Sequence, residues 1–296
     1  MSEKLNRLKE ILGEVSDLGR ASSVLDWDQQ VNIPPLGGDA RGQQLATLGK
    51  IRQEKFTSDE VGRLIDDLKL EFAGVDSEDA AMIRVAARNY DKAKRVPPSF
   101  VAEQAVATSK SFEAWVEAKG KSDYSIFLPR LQKMVELVHK YISFFPPADH
   151  PYDTLLDDYE PGMKTADVKA IFDGLRPRQV ELIKAIGEAQ QVKDDFLHKK
   201  YAEKKLWDFG EEIIKAFGYD FNRGRQDKAA HPFETTFSVN DVRITTRFEA
   251  GNPLAMTAGN GRPAKVRRRS TTVTPSTKPR SSNGIVSAAA SIHSPL

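Results

Sequence analysis

Apolar residues recur every three or four positions along most of the first 217 residues, and this spacing constrains the fold more than any other feature. Such a period is typical of amphipathic helices, and it predicts a mainly helical chain. We expect helices near residues 61–68, 78–94, 99–119, 128–142, 165–192 and 203–217. A capping box at Thr57 and Glu60 is predicted to start the first of these, and Pro177 to break or kink the fifth. The N-terminal helical stripe consists of Leu5, Leu8, Ile11, Leu12, Val15 and Leu18.

The period changes from three or four residues to two just before residue 250. Here Val242, Ile244, Thr246 and Phe248 alternate with Arg243, Thr245 and Arg247, which indicates a β-strand. Residues 235–238 are predicted to pair with it across a turn at 239–241. The expected fold is therefore a large helical domain with one small β-hairpin. With no further cover, the apolar strand face is expected to be exposed and to favour self-association through residues 231–250.

Composition changes abruptly near Ala250. Residues 251–296 contain seven Lys or Arg, no Asp or Glu and no aromatic residue, and they are rich in Ser, Thr, Pro, Gly and Ala. A segment of this kind buries too little apolar area to offset its ordering entropy. We predict a domain over residues 1–250 and a basic, disordered tail over residues 251–296, which is expected to bind polyanions weakly.

The chain contains no cysteine, which excludes disulfides, thiolate metal sites and a cysteine nucleophile. Its first residues are charged and lack the apolar core of a signal peptide. No apolar run approaches the roughly 20 residues that cross a bilayer. We therefore expect a cytoplasmic protein that does not enter membranes.

The histidines and carboxylates do not form a recognisable catalytic or metal-binding motif. No two of the five histidines are three or four residues apart, and the single Glu136–His139 pair lacks a second pair to complete a di-metal site. The acids of the segment from Asp153 to Asp158 lack calcium-loop spacing. From these residue patterns alone, no catalytic residue and no metal ligand is assigned.

Two short stretches near the hairpin allow two interpretations each. His231 opens the sequence HPF, where it could cap a loop anchored by Pro232 and Phe233 or belong to a site. Arg243 and Thr245 could lie on the exposed face of an edge strand. Alternatively, that strand could line a groove, where Arg243 would bind a carboxylate and the main chain would pair with an extended peptide.

Four stretches taken together resemble the carboxypeptidase Taq family of metallocarboxypeptidases. They are LDWDQQVNIPP followed by Arg41 and Gln44, then YDTLLDDYEPGM, then HPF, and finally DVRITTR. The likeness runs from about Leu5 to Phe248, roughly the N-terminal half of a member. By this resemblance, the residues of the substrate groove are His231, Pro232, Phe233, Asp241, Arg243 and Thr245.

The resemblance implies a cytosolic enzyme of the helix-walled, gluzincin type, often a homodimer, that releases C-terminal residues from peptides. A zinc or cobalt ion, held by a His-Glu-x-x-His helix and a downstream glutamate, would activate water. That motif occurs nowhere in residues 1–296. We therefore expect a truncated homologue that binds no stoichiometric metal and is inactive alone. The alternative is a non-catalytic scaffold whose basic tail contacts an acidic partner or nucleic acid.

Overall fold

The computed structural model of the chain describes residues 3–249 and 252–258. Nine α-helices, two short 3-10 turns and four β-strands lie within these residues, and the strands follow all of the helices. The helices are α1 Glu3–Val31, α2 Gly38–Phe56, α3 Asp59–Glu71, α4 Glu78–Arg95, α5 Pro98–Lys121, α6 Leu128–Ile142, α7 Pro151–Leu156, α8 Thr165–Glu188 and α9 Glu203–Ala216. The mainly helical fold is confirmed.

One apolar core joins α1, α3 and α4. Leu5, Leu8 and Ile11 of α1 are buried against residues such as Val61 and Ile83, so the N-terminal stripe faces the interior as its spacing predicts. The cap of α3 differs from the prediction by one residue. Ser58 is the N-cap and accepts a hydrogen bond from the Val61 amide. Thr57 instead donates to the Gln53 carbonyl at 2.8 Å and ends α2.

A second core joins α5 and α6 through aromatic side chains. Phe100 lies edge-to-face with Phe144, with ring centroids 5.0 Å apart, and it packs with Met134 and Leu137. Helix α2 lies along α5, where Gly42 faces Ser109. No predicted helix covers α2. Its large apolar residues Leu45, Leu48 and Ile51 do recur at spacings of three, but its close contacts with α5 use small residues such as Gly42.

The predicted hairpin is part of a larger sheet. Strands β2 (Glu234–Ser238) and β3 (Asp241–Glu249) pair antiparallel, which confirms the hairpin. Strand β1 (Gly224–Lys228) pairs parallel along the other edge of β3, and β4 (Asn252–Ala258) pairs with the C-terminal part of β3. Because β3 has a partner on both edges, the interpretation of it as an edge strand is wrong.

The expected exposure of the strand's apolar face is also wrong. Ile244 is 6% exposed and Thr246 is 1% exposed. Phe248 packs against Trp207 of α9, with ring centroids 5.9 Å apart. The reason is tertiary, because β1 and α9 bring cover that the alternating pattern of β3 does not reveal.

Strand β4 also bears on the predicted boundary at residue 250. It lies within the segment that was expected to be disordered, yet it forms regular pairs with β3. The rest of the predicted tail, residues 259–296, lies outside the described residues, as do residues 250 and 251. The expected binding of polyanions by the tail therefore concerns residues that the structure does not describe.

Helix α8 continues through Pro177, so of the two predicted outcomes the break does not occur and the kink stays a prediction. Proline removes one N–H donor from a helix and leaves one carbonyl without its usual partner. Every residue from Lys169 to Glu188 is exposed, so water can reach that carbonyl. Among the helices that the structure describes, none is long and apolar enough to cross a bilayer.

Candidate functional site

The LDWDQQ segment lies at the C-terminal end of α1, and its Asp28 binds the neighbouring helix α2. Arg41 of α2 donates from Nη2 to the Asp28 carboxylate at 2.6 Å and from Nε to the Gln44 side-chain oxygen at 3.2 Å. The same guanidinium also donates to the carbonyl of Leu25. These bonds tie the end of α1 to the start of α2, so Asp28 and Arg41 have a structural role.

The next residues of the segment contact α5. Buried Gln29 donates from Nε2 to Ser109 Oγ at 2.6 Å. The Glu113 carboxylate of α5 occupies the space that a Cβ at Gly38 would fill. Because Gly38 is the first residue of α2, this carboxylate lies at a helix N-terminus, which favours negative charge. Helix α5 thus holds both ends of the α1–α2 connection.

Trp27 anchors the sheet to α1. It is 4% exposed, and the guanidinium carbons of Arg243 and Arg225 lie 4.3 Å and 5.2 Å from its ring centroid. Arg243 and Arg225 are paired across β3 and β1. Each also binds an aspartate on its own strand. The sheet therefore presents two neutralised guanidinium groups to the indole.

Arg243 already holds a carboxylate in two-point fashion. Its Nε donates to Asp241 Oδ1 at 2.9 Å and its Nη2 donates to Asp241 Oδ2 at 3.0 Å. The side chain is 19% exposed. One interpretation of DVRITTR expects Arg243 to bind a carboxylate. In the structure that carboxylate belongs to Asp241, two positions away on the same strand.

The HPF loop is fastened to β3 through Thr245. The Phe233 amide donates to Thr245 Oγ1 at 2.7 Å, and the Thr245 amide donates to the Phe233 carbonyl at 2.8 Å. Pro232 is half-buried, and His231 is exposed with its ring edge-on to Trp115 at 6.2 Å between centroids. Among the six expected groove residues, Phe233 and Thr245 therefore touch directly, as do Asp241 and Arg243.

Lys119 connects this loop to the end of α5. Its ammonium donates to the Ala230 carbonyl at 2.9 Å and lies 4.7 Å from the centroid of the Trp115 ring. Burial, followed by the positive charge of Arg247, lowers the pKa of Lys119. The residue before HPF is thereby held against a helix more than one hundred positions earlier in the chain.

A groove runs between the end of α1, the middle of α5 and the residue that precedes HPF. Its volume is about 670 Å³, and Gln29, Gln30, Pro34, Pro35 and Ala230 are among its lining residues. A smaller hollow of about 270 Å³ shares Gln30 and Ala230 with it and is also lined by Arg247. Residues of the LDWDQQVNIPP stretch thus lie beside the loop that contains HPF.

The DTLLDDYEPGM segment is a junction between α7 and α8. Asp153 is buried, and its Oδ1 accepts hydrogen bonds from Thr165 Oγ1 at 2.6 Å and from the Thr165 amide at 2.8 Å. These bonds lower the pKa of Asp153 to about 2. Asp157 accepts from the Gly162 amide at 2.8 Å and from Lys92 at 2.7 Å.

The residues present do not fit a catalytic metal. Within residues 3–249 and 252–258, no three His, Asp or Glu side chains come together as a possible ligand set. His139 is exposed on α6, and His150 caps α7 by accepting a hydrogen bond from the Tyr152 amide at 3.1 Å. The acids of the α7–α8 junction already accept hydrogen bonds from protein donors.

Several residues of the groove and of the HPF loop contacts were not identified from the sequence. Glu113 and Ala230 line the groove, and Trp115 and Lys119 contact the loop beside it. All but Ala230 lie on α5, whose stripe predicts only a helix. No local motif marks them, because their partners on α2 and on the HPF loop are distant in sequence. Ala230 directly precedes HPF and was the one position that could have been included by adjacency.

Known proteins match this chain over the region that contains the four family-like stretches. The family model of the carboxypeptidase Taq (M32) metallopeptidases matches residues 7–260, about ten residues beyond the expected limit of the likeness. Carboxypeptidase 1 of Bacillus subtilis is 31% identical over 241 residues, which cover 81% of this chain and 48% of that protein. Thermostable carboxypeptidase 1 of Pyrococcus furiosus is 34% identical over 253 residues, which cover 82% and 50% respectively.

The M32 carboxypeptidase of Deinococcus radiodurans R1 has a similar structure. Its TM-score is 0.71 at 33% identity, over 86% of this chain and 51% of that one. The chain thus spans about half the length of the relatives it matches. The sequence stretches, the helical body and the match over residues 7–260 agree, and the chain belongs to the carboxypeptidase Taq (M32) family of metallopeptidases.

Proposed function

We propose that the described residues form a peptide-binding wall of an M32 carboxypeptidase, and that these 296 residues alone do not hydrolyse peptide bonds. The observation that carries the proposal is the shared groove, in which Gln29, Gln30 and Pro34 lie beside Ala230. Its volume lies within the range of about 300–1,000 Å³ that is common for ligand sites.

The groove suits an extended peptide because its walls are mixed in character. Ile33, Pro34 and Phe112 offer apolar contact, whereas Gln30 offers a side-chain amide. In this proposal, the six expected groove residues support the groove without lining it. Phe233 and Thr245 fix the loop, and Asp241 and Arg243 hold Trp27 beneath the sheet. They are positioning residues and not groups that touch the substrate.

The catalytic metal is proposed to come with residues outside this sequence. Zinc or cobalt, the ion implied by the family resemblance, would polarise the scissile carbonyl and activate a water molecule. The sequence contains no His-Glu-x-x-His motif and no cysteine to supply ligands. The same absence of cysteine suits a cytoplasmic location. Neither the relatives nor the described contacts favour the alternative of a scaffold that binds acids or nucleic acids.

Fluorescence anisotropy with a short, fluorescein-labelled alanine peptide tests the groove. The native chain is expected to bind it, and Ile33→Glu is expected to weaken binding about ten-fold by placing a charge on an apolar wall. Leu70→Glu is the matched control, because Leu70 is exposed on α3 away from the groove. No binding by the native chain, or equal losses in both variants, would refute the groove assignment.

Release of C-terminal amino acids tests the second half of the proposal. The purified chain is expected to release none from the same peptide, with or without added zinc. Release that copurifies with the chain and stops on addition of a chelator would show that these residues do complete a metal site.

A further inference from the structure

Helix α8 carries an apolar stripe that no described element covers. The stripe is defined here by six large side chains, and each of them is exposed; Ile183, for example, is 67% exposed. They recur at spacings of three, four and seven residues, so they share one face of the helix. The members are Ile171, Phe172, Leu175, Leu182, Ile183 and Ile186.

The two apolar cores of the chain leave this helix out. Neither cluster includes a residue of α8, and the main packing neighbour of α8 is the short helix α7. Charged residues such as Lys169, Asp173 and Glu181 lie on the helix outside the stripe. A helix that is amphipathic in this way is typically folded against another apolar surface.

Helix α9 repeats the arrangement. Phe209, Ile213 and Phe217 recur every four residues and are exposed, whereas Trp207 is half-buried against Phe248. One side of α9 therefore packs on the sheet and another side does not. Exposed apolar patches of this extent on a soluble protein mark interaction surfaces.

We propose that the α8 stripe is the docking face for the second half of an M32 fold, present on the same polypeptide or supplied separately. This inference rests on the proposed function. Its basis is that the matched relatives are about twice as long as the aligned region, so about half of their residues have no counterpart here. A core helix of the whole fold would show an uncovered stripe when only the first half is present.

The other possible occupants fit less well. Residues 259–296 contain no aromatic residue and only scattered Val, Ile and Leu, so they do not match a helical apolar stripe. A second copy of the chain could pair stripe to stripe, but the relatives' additional length requires no such pairing. Self-pairing is therefore a defined outcome of the test.

Co-expression of the full chain with the second half of Bacillus subtilis carboxypeptidase 1 tests the proposal. The native chain, carrying an affinity tag, is expected to retain that second half. Leu175→Glu and Ile183→Glu are expected to weaken retention about ten-fold or more, because each places a charge in an apolar contact. Ala170→Glu is the matched control. Ala170 is an exposed residue of α8 that lies on the side of the helix opposite the stripe.

Circular dichroism of each variant alone is expected to match that of the native chain, because the substituted residues are exposed. The proposal is overturned if the native chain fails to retain the second half or if Ala170→Glu weakens retention equally. It is also overturned if the native chain forms a dimer that only the stripe variants disrupt, since a second copy then covers the stripe. Anisotropy with the alanine peptide is measured in parallel, so a failure of docking is distinguishable from a failure of the groove.

Discussion

Charged side chains around the groove are paired with one another. Arg41 holds Asp28, and Arg243 holds Asp241 with near-ideal two-point geometry. Bonds of this kind are worth more in partly buried positions than at the surface, because water competes less for the donors. These charged residues of the family-like stretches thus stabilise the scaffold.

Replacement of Arg41 by alanine is expected to lower the free energy of unfolding by about 2 kcal/mol, because it leaves Asp28 and the Leu25 carbonyl without their donor. Urea denaturation measures the change. Lys50→Ala is the control, since Lys50 makes only an exposed contact to Glu54 at 3.8 Å and should cost less than about 0.5 kcal/mol. Equal losses of unfolding free energy in the two variants would show that the Arg41–Asp28 pair stabilises the fold no more than the exposed Lys50–Glu54 pair.

Asp153 gives a prediction about acid stability. Hydrogen bonds from Thr165 lower its pKa from 3.8 to about 2 in the folded chain. A depressed pKa stabilises the folded state above pH 3.8, and the contribution is lost as pH falls towards 2. We expect Asp153→Asn to be less stable than the native chain at pH 6, with the difference shrinking below about pH 4. A difference that stays constant from pH 6 to pH 3 would contradict the assignment.

At the scale of elements, β3 is the centre of the sheet. It pairs with β1 and β2 on opposite edges, and its middle residues are buried on both faces. Strands that are buried on both faces do not need a strict alternation of apolar and polar residues. The Thr and Arg residues of β3 therefore gave an incorrect impression of a solvent-facing side.

The Ile244→Lys substitution is expected to unfold the sheet. Ile244 is 6% exposed, and an unpaired buried ammonium group should cost about 4 kcal/mol or more. Thermal unfolding followed by circular dichroism measures the effect. Val239→Lys, in the exposed hairpin turn, is the control and should leave the midpoint nearly unchanged.

At the scale of the whole molecule, the described residues form two closed cores, and helices α8 and α9 each carry an apolar face that these residues do not cover. The cores lie between α1, α3 and α4 and between α5 and α6, whereas α8 and α9 present apolar stripes to water. Stability is therefore expected to be uneven along the chain, with α8 opening more readily than α1 or α4. Hydrogen exchange should show faster exchange across Thr165–Glu188 than across Glu78–Arg95. Equal protection in the two helices would mean that α8 is covered in solution.

Metal content is a second prediction for the whole chain. The described residues contain no cluster of three possible ligands, and the sequence has no closely spaced histidine pair. After dialysis against a mild chelator, we expect less than about 0.1 zinc ion per chain, because weak sites release their metal. Atomic absorption measures this content. One zinc ion retained per chain would reveal a site that these residues do build.

Local features of the sequence determined much of the secondary structure. The stripes at residues 78–94 and 128–142 predicted α4 and α6 to within a residue or two, and the hairpin of β2 and β3 was also predicted. Helix periodicity and turn chemistry act over a few residues, so one sequence suffices to recognise them. The four family-like stretches likewise sufficed to identify the family.

Only the tertiary structure decided which partners the site residues have. Strand β1 is short and has no clear alternation, and it is a strand because β3 offers it an edge. Lys119 reaches the Ala230 carbonyl across 111 positions, and Gln29 reaches Ser109 across 80. Contacts at such separations depend on how helices pack, and a local pattern carries no record of them.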